Sequence, residues 1–199
     1  MNAAKLLAVV PIAVMVLVAG STVNVNGNGF GNPKAPVLIE VFSDFQCPAC
    51  KAFHDNEFQR IMADYVVPGK VYAIYRYFPL QGHPYGRPCA EYACAAARVN
   101  KYREVADALF AQQSTIAAVG NVEAVADGVL TPTEAKTVKS LLKAPEVQKE
   151  IEGDMEEAKA VPVEATPTFW VTAHGKSTPV SWPLNYTLFR QYIDSLLAK

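Results

Sequence analysis

Two spacings of apolar residues alternate along this chain, and the switches between them divide it into blocks. Residues 37–42 (VLIEVF) form a short apolar run without helical spacing and read as a buried strand. From Pro48 the period lengthens, so that Phe58, Ile61, Met62 and Tyr65 share one helical face until Val66-Val67-Pro68-Gly69 stops it. Residues 70–78 (KVYAIYRYF) alternate and are rich in β-formers, which predicts a second strand. Strand, helix and strand in this order make a βαβ unit.

A helical block follows over about residues 84–160. Residues 88–100 are Ala-rich, and residues 101–113 place Val105, Leu109 and Phe110 together. Thr131-Pro132-Thr133-Glu134 is a capping box with proline at the first helical position. Pro145 starts another helix, with Val147, Ile151 and Met155 at four-residue spacing. The chain then returns to β: residues 168–172 (TFWVT) predict a strand, His174-Gly175-Lys176 a turn and residues 177–181 a partner strand. Asn185 is placed to cap a last helix with Leu188, Phe189, Tyr192, Ile193 and Leu196 inward.

The chemistry falls at the junctions of these blocks. Cys47-Pro48-Ala49-Cys50 lies between the first strand and its helix. A thiol at a helix N-terminus faces unsatisfied amides and the positive end of the helix dipole, which favour the thiolate, the form that attacks disulfides. Cys47 is therefore the candidate nucleophile, and Cys50, one turn on, the resolving thiol. Pro48 suits a first turn because it has no amide hydrogen to satisfy. A structural disulfide or half a metal site is the plainer alternative. Thr166-Pro167, just before a late strand, is the second candidate. A cis proline there would face the cysteines and leave the Thr166 backbone free to pair with an extended substrate.

The segments FSDFQCPAC, YRYFPL, ALFAQQ and ATPTFWV, with the Ala-rich helix between them, resemble the DsbA-like branch of the thioredoxin superfamily over residues 33–199. The expected fold class is α/β, a thioredoxin fold with a helical insertion at about residues 84–160 between N-terminal βαβ and C-terminal ββα parts. The resemblance implies an exported thiol–disulfide oxidoreductase with Cys47 attacking, Cys50 resolving and Thr166-Pro167 as the cis-proline loop. It also implies thiol-containing exported proteins as substrates, and reoxidation by a membrane quinone-linked partner of the DsbB or vitamin-K-epoxide-reductase type. No cofactor or metal is called for. A reductase or isomerase using the same pair is the first alternative, and a non-catalytic thioredoxin-fold binding module the second.

Two departures limit the resemblance. The strongest oxidants of the family have His between the cysteines, where this chain has Ala49. The Cys47 pKa is thus expected within about 3.5–7.5 but not at its bottom. Related enzymes often carry a buried acid six residues before the first cysteine, where this chain has Val41, and Glu40 and Asp44 are both candidates for that role. Cys89 and Cys94 form a second pair, read as a possible disulfide if Cys89 lies outside regular helix. Unpaired buried thiols, a relay to the first pair and a four-thiolate zinc site are its alternatives. His54 is read as a surface helix residue rather than one that tunes the cysteines. His83 and His174 have no partner in motif spacing. Trp170 is expected to pack close to the proline loop.

Composition changes this picture little. With 51% hydrophobic and 19% charged residues the 199-residue chain is globular, and a net charge of −1 gives no sign of nucleic-acid binding. The N-terminus adds location. Residues 6–20 (LLAVVPIAVMVLVAG) are uninterrupted apolar or small, so residues 1–23 read as a cleaved signal peptide or a membrane anchor. Either places the body in the periplasm or another extracytoplasmic space. Residues 24–33 (NVNGNGFGNP) read as a flexible linker and residues 34–199 as the domain.

Overall fold

The computed structural model describes residues 27–161, 163–181 and 185–198. The segment expected as signal peptide or anchor, and the first part of the expected linker, lie outside the described residues.

The first strands are β1 (Gly29–Phe30) and β2 (Val37–Ser43). A continuous helical segment then combines α1 (Pro48–Ala52), wide turns over Phe53–Phe58, α2 (Gln59–Ile61) and wide turns over Met62–Val66, and leads to β3 (Val71–Tyr77). Five helices follow after the loop to residue 86: α3 (Gly86–Ala97), α4 (Tyr102–Ala111), α5 (Gln113–Val119), α6 (Val122–Asp127) and α7 (Pro132–Leu141). A longer one, α8 (Pro145–Ala160), completes the insertion before β4 (Thr168–Ala173), β5 (Lys176–Ser181) and α9 (Tyr186–Leu197).

The sheet order is β1-β3-β2-β4-β5, with β2 parallel to β3 and antiparallel to β4. β2 and β3 are central and buried along nearly their whole length, which is why β2 reads as a near-continuous apolar run, while β3, read as alternating, is buried on both faces as well. One face carries Val37, Ile39, Val41, Tyr75, Tyr77, Phe169 and Val171 into the main core. There Phe53 of the cysteine helix packs on Phe169 of β4, and Phe169 on Phe189 of α9. This fastens the helix that begins at the cysteines to the strand that follows Pro167. On the other face Glu40 and Asp154 enclose Arg76.

Several expectations are corrected. Residues 29–30, expected in a linker, form β1 on the β3 edge, and buried Asn28 donates from Nδ2 to Tyr75 O at 2.8 Å. A two-residue strand beside glycines is too short to show alternation. Leu188 is 52% exposed, because the buried stripe of α9 runs through Tyr186, Phe189 and Ile193. Trp170 is half-buried on the opposite side of β4 from Phe169. The capping boundaries agree with the sequence reading: Thr131 and Glu134 form the reciprocal box at α7, and Asn185 Oδ1 accepts from Leu188 N. No helix among the described residues is long and apolar enough to cross a membrane.

Candidate active site

β2 delivers the chain to a tight turn in which Cys47 N donates to Asp44 O at 3.0 Å. Cys47 is the N-cap of α1, with φ −75° and ψ 120°, and Pro48 opens the helix. Its carbonyl accepts Lys51 N at 3.1 Å, the first hydrogen bond of the helix. Both sulfurs are inside the fold, Cys47 with 7% exposure and Cys50 with none.

The Thr166–Pro167 peptide bond is cis, and both residues are buried. Their loop precedes β4 and is braced by Thr168 Oγ1 donating to Ala165 O at 2.7 Å. Cys47 Sγ donates to Thr166 O at 3.3 Å. The structure thus brings Cys47, Cys50 and Thr166 together from residues 119 apart in sequence.

The two thiols titrate in opposite directions. A hydrogen bond from the Cys50 thiol is the largest influence on Cys47, and the Thr166 side chain and the amides of Cys50 and Ala49 add to it. Against the cost of burial they lower its pKa to about 5, inside the range expected from the sequence. Cys50 is raised well above an ordinary thiol, first by burial and then by its contact with Cys47. Its sulfur accepts from Asp44 N at 3.5 Å. At neutral pH the pair holds one nucleophilic thiolate and one neutral thiol.

Of the two candidate acids, Glu40 is engaged elsewhere: its Oε1 accepts from Arg76 Nε at 2.9 Å on the sheet face shared with Asp154. Asp44 lies at the turn, 1% exposed. Its Oδ1 accepts from Gln46 N at 2.8 Å and its Oδ2 from Leu80 N at 2.9 Å. Oδ2 also meets His83 Nδ1 at 2.6 Å. The sequence reading missed this His83 partner, 39 residues away, because no local spacing marks it. Gly86 permits the approach of α3, since a Cβ there would lie 2.9 Å from Asp44 Oδ1.

Cys89 and Cys94 are free thiols within regular turns of α3. Five residues apart on one helix they face different sides, and Cys89 does not leave the helix as a bridge would require. His54 is buried and not on the surface. Its ring stacks on Phe110 with centroids 4.5 Å apart, and its nitrogens meet Tyr75 Oη at 3.1 Å and Asp107 Oδ1 at 2.8 Å.

A thioredoxin-fold protein with a helical insertion and a Cys-x-x-Cys pair at a helix N-terminus is the class these features define. The Thioredoxin_4 family model, described as thioredoxin, matches residues 24–195, and the chain belongs to that family. Among solved structures the fold is similar to α-DsbA1 of Wolbachia pipientis (TM-score 0.70, 22% identity, 87% of this chain and 92% of that one). It is likewise similar to a thioredoxin-like oxidoreductase from Silicibacter pomeroyi DSS-3 (TM-score 0.72, 24% identity, 88% and 95%). The fold is therefore DsbA-like. In sequence, the chain is 33% identical over 87 residues to the Na(+)/H(+) antiporter NhaA 3 of Salinispora tropica. That match covers 43% of this chain but 13% of the antiporter.

Proposed function

We propose that the protein is a disulfide-forming oxidase of exported proteins, working through Cys47 and Cys50. The observation that carries this reading is the opposed ionisation of the two sulfurs: Cys47 is lowered to about 5 while Cys50 is raised. A stabilised thiolate favours the reduced pair, so the disulfide is the more oxidising.

In the oxidised protein, a substrate thiolate attacks Cys47 Sγ. The Cys47–Cys50 bond breaks, a substrate–Cys47 disulfide forms, and Cys50 leaves and takes up a proton. A second substrate thiolate then attacks the substrate sulfur of that bond, and Cys47 departs as a thiolate. The substrate has lost two electrons and two protons. The pair has gained two electrons and one proton, and the other proton goes to solvent. Thr166 and Pro167 line the approach, where the Thr166 backbone would pair with an extended substrate segment. A quinone-linked membrane partner of the DsbB or vitamin-K-epoxide-reductase type would take the electrons from the reduced pair. The apolar segment over residues 6–20 supports an extracytoplasmic location by export or anchoring.

The test is the reduction potential of the Cys47–Cys50 pair by equilibration with glutathione, in a background carrying Cys89→Ala and Cys94→Ala. Ala49 leaves the thiolate without a His donor, so the expected value lies between the thioredoxin end, about −270 mV, and the DsbA end, about −120 mV, on the oxidising side of the midpoint. A value at the thioredoxin end would make the protein a reductase.

A further inference from the structure

The turn bearing Cys47 is held from the helical insertion as well as from its own helix. Gln46 Oε1 accepts from Tyr85 N, just before α3. Gln113, the first residue of α5, is 9% exposed and reaches the turn with its side-chain amide. Its Nε2 donates to Phe45 O at 2.7 Å and to Cys47 O at 3.1 Å. The second of these carbonyls is the one that accepts Lys51 N and starts α1.

The placement of Gln113 is itself secured. Ile116, three residues on, is buried with 1% exposure. Gly120 ends α5 with φ +68°, a left-handed cap that glycine adopts without penalty. A Cβ there would lie 2.7 Å from the Tyr85 ring, so α5 ends tightly against the residue whose amide holds Gln46.

Cys47 has no side-chain cap of its own, so its backbone conformation decides where its sulfur points. Rotation of the Phe45–Cys47 peptides would move Sγ off the first-turn amides and away from the Thr166 side chain. We propose that Gln113 is a positioning residue for thiol exchange: by donating to both carbonyls it fixes the turn so that Cys47 presents its sulfur to the amides of α1 and to Thr166. The insertion thereby takes part in setting the strength of the redox pair. The inference rests on the reading of Cys47 as the attacking thiol.

Two substitutions separate the donor from the volume it fills. Gln113→Met keeps the size and removes both hydrogen bonds. Gln113→Glu keeps the shape and, when ionised, places an acceptor against two acceptors and a negative charge near the thiolate. The experiment uses the full chain, reduced, with Gln112→Met as an exposed neighbouring control. Cys47 ionisation is followed by thiolate absorbance and alkylation rate against pH, alongside the glutathione equilibrium and circular dichroism.

Gln113→Met is expected to raise the Cys47 midpoint by about one pH unit, a tenfold loss of thiolate below the midpoint, and to make the pair correspondingly less oxidising. Gln113→Glu is expected to raise it further, and Gln112→Met to leave it in place. A folded Gln113→Met protein with the wild-type midpoint overturns the inference, and Gln113→Leu, which also removes both hydrogen bonds, serves where the Met variant does not fold. A wild-type Cys47 that titrates like an ordinary thiol, near about 8.5, instead overturns the proposed function, and this inference with it. A wild-type midpoint near 5 with unmoved variants sinks the inference alone.

Discussion

The chain places one cysteine pair at the start of α1 and another within α3, buries all four cysteines, and gives Cys47 a different ionisation from Cys89 and Cys94. Cys47 precedes the first turn of α1, where amides are still unpaired, and its thiol is lowered to about 5. Cys89 lies past the first three residues of α3 with its own amide already bonded to Tyr85 O. Burial first, and then the charge of Asp44, push its thiol up to about 12. Cys94 sits deeper in α3, donates weakly to Val147 O at 3.9 Å, and is raised as well, chiefly by burial. A buried sulfur is therefore not reactive or inert by being buried. What decides is whether donors face it: the Cys50 thiol first, then the Thr166 side chain and the free amides of α1, lower Cys47, whereas burial outweighs any donor at Cys89 and Cys94.

The largest test of this contrast is deletion. Cys47→Ser is expected to abolish exchange with glutathione and with a reduced test protein, measured by turnover. The Cys89→Ala, Cys94→Ala double variant is expected to retain the wild-type rate within about twofold, as changes remote from the reacting sulfurs usually do. A double variant that loses exchange would make the second pair a relay to Cys47 and Cys50.

A pH series sharpens it. Alkylation of reduced wild-type protein should modify Cys47 with a midpoint near pH 5, while Cys89 and Cys94 react only after unfolding. Stability should follow the same ionisation. Because the Cys47 pKa is lowered on folding, its contribution to the reduced protein is lost as pH falls through about 5. The contribution grows up to the unfolded-state value, about 8.5. Above that, the raised Cys50, Cys89 and Cys94 work in the opposite sense, since the unfolded chain would ionise them and the folded one would not. Urea unfolding of the reduced protein, compared with the disulfide form between pH 4 and pH 8, should therefore show a margin that widens with pH. A margin independent of pH would contradict the lowered Cys47.

The contrast was only half legible in the sequence. Cys47-Pro48-Ala49-Cys50 between strand and helix, and Thr166-Pro167 before a strand, are contiguous motifs whose neighbours announce their setting. Cys89 and Cys94 offered no such context, and the bridge considered for them required a departure from helix that α3 does not make. Two of the ties that hold the Cys47 turn were also silent. Gln113 bonds carbonyls 66 and 68 residues away, and His83 a carboxylate 39 residues away. Such contacts join a side chain to whatever the fold brings near, and no periodicity encodes them. His54 was misplaced for a related reason: helical spacing cannot tell that Phe110, Tyr75 and Asp107 will close over one ring.

The smallest effect concerns what the inert pair contributes. If Cys89 and Cys94 serve packing alone, their cost of removal should be that of two buried atoms about the size of methylenes. Each is worth about 0.8 kcal/mol in transfer, with a cavity term where α3 cannot relax. The double alanine variant should then unfold roughly 1–3 kcal/mol more easily in urea. Its Cys47 midpoint and reduction potential should stay at the wild-type values, because neither sulfur is among the groups that set the Cys47 ionisation. Destabilisation with an unmoved potential would mark α3 as scaffold. A shifted potential without destabilisation would mean that Asp44, which lies between Gly86 of α3 and the active turn and acts on Cys89, transmits the change to Cys47.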